Sequence, residues 1–161
     1  MATNQAAVAF GLSSVVSTSL LTTTTGVPVN SFSGALMYKQ SGDTYVRAIT
    51  SNSTTQTLNA SAQSSQPATA ANYQSWRLEG RDVDGSNMEV TFFLNDAPLL
   101  DQTFHRPIKQ TVAIASAAAM NLVLMLKNVG GANSEVLNVD YIYGAQRRPG
   151  PLNQTATSGP Y

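Results

Sequence analysis

The feature that most constrains this sequence is a series of short segments in which apolar and polar residues alternate between turn-forming residues. Residues 76–81 place Trp76 and Leu78 on one face and charged side chains on the other, and residues 88–94 resume the alternation after a turn at 84–87. Because successive side chains of a strand point to opposite faces, this period of two predicts half-buried β-strands. The sequence shows no long stripe with the 3.6-residue period of a helix.

The same criteria predict further strands along the chain. They are residues 34–40, 44–50, 111–115, 120–129 and 136–143. The uncharged stretch 51–75 is rich in Ser, Thr, Ala, Asn and Gln, and we expect a long loop or a polar outer strand there. Short strands at regular spacing with turns between them indicate an all-β fold, an antiparallel β-sandwich.

The composition also predicts where the sandwich begins and ends. Residues 1–28 are uncharged, and the threonine run at 22–25 favours extended backbone, so we predict an N-terminal arm followed by a first strand. Residues 29–144 form the predicted sandwich domain. Residues 145–161 contain Arg147-Arg148-Pro149-Gly150-Pro151, which cannot continue a sheet, and are predicted to form an extended C-terminal tail. Deleting either arm is expected to leave a folded domain.

Charged residues make up only 11% of the 161 residues, and the net charge is zero. Charged residues usually account for about 25% and keep soluble proteins apart, so this surface suits a protein that packs against other proteins. It lacks the basic patch that non-specific nucleic-acid binding requires. The first 38 residues are uncharged, which predicts neither a signal peptide nor a membrane span, and therefore synthesis in the cytoplasm.

Candidate catalytic residues are few, and no cofactor is predicted. The chain has no cysteine and one histidine, His105, without a Gly-x-Ser-x-Gly elbow for a serine hydrolase. Asp82-Val83-Asp84-Gly85 is similar to the start of a calcium loop but lacks its remaining ligands, so a hairpin turn is favoured. Glu79 and Glu89 fit a solvent-facing charge ladder better than a glycosidase pair. We therefore expect a protein that is not an enzyme and has no metal site.

Three ordered segments resemble a domain of tailed-phage virion proteins related to the concanavalin-like and laminin-G-like jelly rolls. They are Tyr73-Gln74-Ser75-Trp76-Arg77-Leu78, Met88-Glu89-Val90-Thr91-Phe92-Phe93-Leu94-Asn95-Asp96, and Leu137-Asn138-Val139-Asp140-Tyr141-Ile142. The resemblance covers about half of the chain, and Asn95-Asp96-Ala97 replaces the usual Asp-Gly turn of that family. It implies a jelly-roll sandwich that serves as capsid decoration, as a head fibre or as a tail-fibre module.

The expected function is therefore that of a capsid cement or decoration protein on the virion surface. Its expected partners are the major capsid protein and further copies of itself in a homotrimer, with no nucleic acid and no membrane. The predicted partner-binding residues lie in the two arms: Val15, Val16, Leu20, Arg147, Arg148, Pro149, Pro151 and Tyr161. The alternative is a carbohydrate-binding module of a phage fibre or spike, in which Tyr73, Trp76, Tyr141 and Tyr143 would stack on sugars.

Overall fold

The structure is a computed structural model that describes residues 6–57, 63–68, 73–113, 119–130 and 136–145, except for the side chains of residues 57 and 63–66. About 52% of the described residues are strand, arranged in two antiparallel sheets consistent with a β-sandwich. The predicted all-β sandwich is confirmed. None of the described segments forms a helix with the length and apolarity that crossing a membrane requires.

The first sheet combines five strands from the first 67 residues with one strand from residues 121–128. Its strands are β1 (Ala6–Ser13), β2 (Ser33–Lys39), β3 (Tyr45–Asn52), β4 (Gln56–Thr57), β5 (Gln63–Pro67) and β10 (Asn121–Asn128). The strand order is β10-β1-β2-β3, and both β4 and β5 pair with the far side of β3. The polar stretch 51–75 thus contributes short outer strands, one of the two structures predicted for it.

The second sheet comes from the middle of the chain. Its strands are β6 (Trp76–Asp82), β7 (Asn87–Leu94), β8 (Ala97–Pro98) and β9 (Lys109–Ala113), and β7 pairs with each of the other three. The predicted strands at 76–81 and 88–94 are confirmed almost to the residue. Most strands of both sheets pair with sequence neighbours, and β1 with β10 is the long-range pairing. The narrower prediction of a concanavalin-like jelly roll stays a prediction.

Apolar side chains of the two sheets meet in one core. The first sheet contributes Ala35, Met37, Val46 and Ala48, and the second sheet with its loop contributes Val90, Phe92, Leu94, Leu99, Ile108 and Val112. All of these side chains are at most 5% exposed. Removing this apolar area from water is the main force that holds the two sheets together.

The opposite face of the first sheet is buried as well. Residues 14–32 cross it, and Leu20, Leu21 and Phe32 pack there against Ala9 and Tyr38. The prediction of a free N-terminal arm is therefore wrong for residues 6–28. Packing on the chain's own first sheet removes the apolar side chains of these residues from water, whereas a free arm would leave them exposed.

The position of the first strand also differs from the prediction. The threonine run 22–25 lies in a turn, and the first strand is β1, which hydrogen-bonds to both β2 and β10. Small residues such as Ala7 and Ala9 suit β1 because both of its faces are covered. Deleting residues 1–27 would remove β1, which lies between β10 and β2, so we now expect this truncation to destabilise the remainder.

Residues 136–143 also differ from the prediction. The alternation there predicted a closing strand, but no strand is present in residues 136–145. Leu137 is half-buried, while Val139, Tyr141 and Tyr143 are exposed. The segment has a strand's periodicity, but no strand in the described ranges pairs with it.

Candidate interaction surface

Residues 136–145, here called the exposed segment, form the most apolar exposed stretch of the described chain. Its large exposed side chains are Val136, Val139, Tyr141, Ile142 and Tyr143, between 48% and 77% exposed. In the part of the chain that the structure describes, no hydrogen bond involves the segment. Contiguous exposed apolar groups of this kind mark sites of protein interaction.

The C-terminal end of the exposed segment lies close to the start of β10. A Cβ atom built on Gly144 would lie 3.5 Å from Cδ2 of Leu122, at the start of β10. Leu122 is itself 41% exposed. One side of β10 pairs with β1, and no described strand pairs with its other side. Among the described residues, the end of the exposed segment therefore lies near a side of β10 with which no strand pairs.

A second candidate contact is the loop 101–106, which presents Phe104 to solvent. Both oxygens of the Asp101 carboxylate accept backbone hydrogen bonds: Oδ1 from Thr103 (2.9 Å) and Phe104 (2.6 Å), and Oδ2 from Arg106 (3.1 Å). The Phe104 ring is 68% exposed, and the Arg106 guanidinium lies 5.9 Å from its centroid. The loop thus presents an aromatic and a cationic side chain from a backbone that hydrogen bonds to Asp101 hold in place.

The loop 22–27 of the first sheet has the same backbone design. Leu21 bridges to Pro28 as Leu100 bridges to Pro107, so each loop spans six residues between a Leu-Leu pair and a proline. The Thr22 amide donates to the Val27 carbonyl at 2.9 Å, as the Asp101 amide does to the Arg106 carbonyl.

The two loops, 22–27 and 101–106, are also alike in the side chains that stabilise their turns. Thr22 Oγ1 accepts from the Val27 amide at 3.1 Å, as Asp101 Oδ2 does from the Arg106 amide. Gly26 and His105 occupy the equivalent position with φ values of 71° and 52°. Sequence reasoning missed this repeat, although the Leu-Leu-x6-Pro spacing is visible in the sequence. The two loops share a scaffold, but only the second carries an aromatic and a basic side chain.

The hydrogen bonds at Asp101 make the stability of this loop depend on pH. The Phe104 amide first, and those of Arg106 and Thr103 with it, lower the pKa of the Asp101 carboxyl, while desolvation opposes them. A lowered folded-state pKa stabilises the protein above the unfolded value of about 3.9 and loses this contribution as pH falls through the folded value. We expect Asp101→Asn to lower the Tm at pH 7 by a few degrees and the difference to shrink in acid.

Thr22→Val is the matched control in the equivalent loop, because it removes a neutral acceptor. Its effect on the Tm should be the same at neutral and acidic pH. Thermal unfolding of both variants across the acid range measures this. A Tm difference for Asp101→Asn that stays constant as pH falls would contradict the assigned role.

The charged face of the second sheet is a solvent-exposed ladder. Arg77 lies 3.9 Å above the Phe93 ring and forms an ion pair with Glu79. Glu89 accepts from Lys109 Nζ at 3.2 Å. Glu79 lies opposite Thr91 rather than Glu89, so the two carboxylates are diagonal neighbours, each beside a cation. The strand register accounts for these charges without a bound substrate.

The 82–87 segment forms the predicted hairpin turn. Asp84 Oδ1 accepts from the amides of Ser86 (2.9 Å) and Asn87 (2.7 Å), and Asp82 Oδ1 accepts from Gly85 (2.7 Å). Hydrogen bonds from the Asn87 side chain and from these amides lower the pKa of the Asp84 carboxyl. No group of three or more metal-ligating side chains lies together within the described ranges.

An open cleft of about 180 Å³ lies where β3 meets β9. Its polar lining includes Thr50, Asn52, Asn87 and Thr111. The cleft is small and shallow for a ligand site, since pockets for small molecules usually measure roughly 300–1,000 Å³.

The predicted partner-binding residues fall into three groups. Leu20 is fully buried in the chain's own core and cannot contact a partner, and Val15 packs half-buried against the same core. Val16 is 64% exposed. Arg147, Arg148, Pro149, Pro151 and Tyr161 lie outside the described residues. Of the proposed aromatic platform, Tyr73, Tyr141 and Tyr143 are exposed, while Trp76 packs half-buried against the core between the sheets.

Comparisons of the chain with protein families, with curated proteins and with solved structures return no significant match.

Proposed function

We propose that this chain is a structural virion protein, a cement or decoration protein that binds the lattice of the major capsid protein and stabilises the head. The observation that carries the proposal is the fixed loop 101–106, which presents Phe104 and Arg106 on a body with few charges. An apolar ring beside a cation suits a protein partner, because aromatic residues and Arg dominate the energetics of protein interfaces.

The loop would act as a preorganised anchor, because the conformational entropy of ordering its backbone is already lost in the unbound protein. Asp101 already fixes the backbone, so docking Phe104 into a pocket of a capsid subunit would require little further ordering. Several copies in a homotrimer would multiply such contacts through effective concentration. The tail that contains Arg147 and Arg148 belongs to the same proposal as a second contact, ordered on the capsid. The chain would be made in the host cytoplasm and act on the virion surface without catalysis.

The test is binding of the purified chain to capsids that lack it. Phe104→Asp should lower occupancy by at least about tenfold, because a carboxylate would replace the ring in an apolar pocket. Val83→Asp is the control, since Val83 is also exposed (61%) but lies in the 83–86 turn. Co-sedimentation and the copy number relative to the major shell protein measure the effect. Equal occupancy of both variants, or no binding of the natural chain, would contradict the proposal.

The second candidate is a carbohydrate-binding module of a fibre or spike. The observation that favours it is the exposure of Tyr73 (77%), Tyr141 (77%) and Tyr143 (75%), because exposed aromatic rings can stack on sugars. Glycan binding that disappears when these tyrosines become alanine, together with a handful of copies per particle, would favour this function over capsid cement.

A further inference from the structure

We propose that the loop 101–106 recognises a carboxylate next to an apolar pocket on the surface of its protein partner. Arg106 and His105 would donate hydrogen bonds to the carboxylate, while Phe104 fills the pocket. The inference rests on the proposed function and deepens it, because it names the chemistry of the surface that this loop binds. It starts from the loops 22–27 and 101–106, which have the same backbone design.

The loop 22–27 packs against the chain's own first sheet. A Cβ atom added to Gly26 would lie 2.1 Å from the Cβ atom of Ala7 on β1, and Val27 packs half-buried against the core on that face. The corresponding part of the second loop has three exposed side chains: Phe104, His105 and Arg106. The same backbone is therefore covered by its own chain in one loop and turned to solvent, with larger side chains, in the other.

His105 occupies a backbone position that glycine adopts without strain. Its φ is 52°, and the equivalent Gly26 has a φ of 71°. A side chain in this left-handed region costs free energy that glycine does not incur. The imidazole is exposed, and within the described residues it interacts electrostatically with the Asp101 carboxylate but makes no side-chain hydrogen bond. A strained and exposed imidazole on a fixed loop points to a contact outside the chain.

Arg106 lacks the carboxylate partner that other arginines of this chain have. Arg47, for example, pairs with Asp43 at 2.6 Å. Arg106 forms no ion pair within the described ranges. The oxygens of the neighbouring Asp101 accept backbone hydrogen bonds from residues 103, 104 and 106, so this carboxylate is already engaged. The guanidinium is therefore available to a carboxylate of another molecule.

The combination of ring and cation fits a carboxylate on a protein. A guanidinium can bind a carboxylate through two parallel hydrogen bonds, and such charge-assisted bonds are stronger than neutral ones. The Phe104 ring, whose centroid lies 5.9 Å from the Arg106 guanidinium, would exclude water from this contact. A nucleic acid fits less well, because its phosphates are bound by many cations and this chain has a net charge of zero.

The first experiment measures the affinity of the purified chain for capsids that lack it. Arg106→Gln should lower the affinity about tenfold, because it removes a hydrogen-bonded ion pair from the interface. Arg81→Gln is the matched control, since Arg81 is exposed on β6 and also forms no ion pair in the described part of the chain. It should leave the affinity unchanged. Equal effects of the two variants would overturn the proposal.

His105→Gly distinguishes a contact residue from a structural one. The proposal predicts a several-fold lower affinity for capsids together with a Tm that is unchanged or slightly higher, because glycine relieves the strained backbone. Ser53→Gly is the control, because Ser53 is also exposed with a positive φ of 76° and should change the affinity not at all. A lower Tm for His105→Gly with unchanged affinity would assign His105 to the support of Asp101 and contradict its role in binding.

The second experiment neutralises the capsid instead of the chain. Amidation of surface carboxylates on the capsids with carbodiimide and ethanolamine should weaken binding of the natural chain and of Arg81→Gln about tenfold, but should have little further effect on Arg106→Gln. Equal sensitivity of all three proteins to amidation would overturn the proposal.

The two proposals fail in different ways. Loss of binding with Phe104→Asp but not with Arg106→Gln would leave the capsid function standing and remove carboxylate recognition. A natural chain that does not bind capsids at all would remove both.

Discussion

Replacing Phe92 with alanine is expected to lower the free energy of unfolding by about 3–5 kcal/mol. Phe92 is fully buried and lies on β7 at the centre of the core between the two sheets, among Met37, Val46 and Leu99. Truncating it removes apolar burial and leaves a cavity that the rigid sheets can fill only in part. Urea unfolding should show the loss as a lower midpoint with an unchanged m value.

Phe104→Ala is the control for this prediction. Phe104 is 68% exposed, so its truncation should change stability by no more than about 0.5 kcal/mol. Both variants remove a phenyl ring, so the difference between their free energies of unfolding measures what burial in the core between the sheets contributes. If Phe92→Ala and Phe104→Ala cost the same, the two sheets do not pack on each other as described.

Gly34→Ala is expected to destabilise the first sheet by roughly 3 kcal/mol or more, from backbone strain and overpacking together. Gly34 is the second residue of β2 and has a φ of 142°, and an added Cβ atom would lie 2.1 Å from the carbonyl oxygen of Leu12 on β1. Gly11 of β1 approaches β2 equally closely, because a Cβ atom added to it would lie 2.3 Å from the Ala35 carbonyl oxygen. The two glycines therefore allow β1 and β2 to approach closely where they pair.

Gly42→Ala is the matched control. Gly42 also has a positive φ of 79°, but an added Cβ atom would meet nothing within 4 Å. Its substitution should cost only the strain of a left-handed residue, about 1–2 kcal/mol. Chemical denaturation of both variants gives the comparison. Equal costs would mean that the close approach of β1 and β2 is absent.

The alternation of apolar and polar residues predicted the second sheet well because β6 and β7 each have one covered face and one exposed face. Trp76 and Leu78 turn to the core, while Arg77 and Glu79 turn to water. The same reasoning missed β1. Both faces of that strand are covered, so its buried residues are small and continuous and carry no period of two.

The packing of residues 14–32 on the outer face of the first sheet could not be predicted either, because no regular pattern marks their buried residues. The apolar residues of 14–32, such as Leu20 and Phe32, are widely separated by Ser and Thr, which made the region read as an arm. Their burial depends on the outer face of the first sheet, a tertiary surface that local sequence does not reveal. The 101–106 loop was likewise hidden, because its shape comes from the way Asp101 distributes its hydrogen bonds.

Residues 136–143 show the converse limit of such reasoning. The alternation correctly identifies a segment with strand-like periodicity, yet periodicity specifies faces and not a partner. The isolated chain supplies no partner for this backbone within its described part.

Amide hydrogen exchange tests most directly the central claim that β1 lies inside the first sheet while residues 136–143 pair with no described strand. We expect the amides of β1 to be strongly protected and those of residues 136–143 to exchange rapidly. Rapid exchange of the β1 amides, or equal protection of the two segments, would contradict the account.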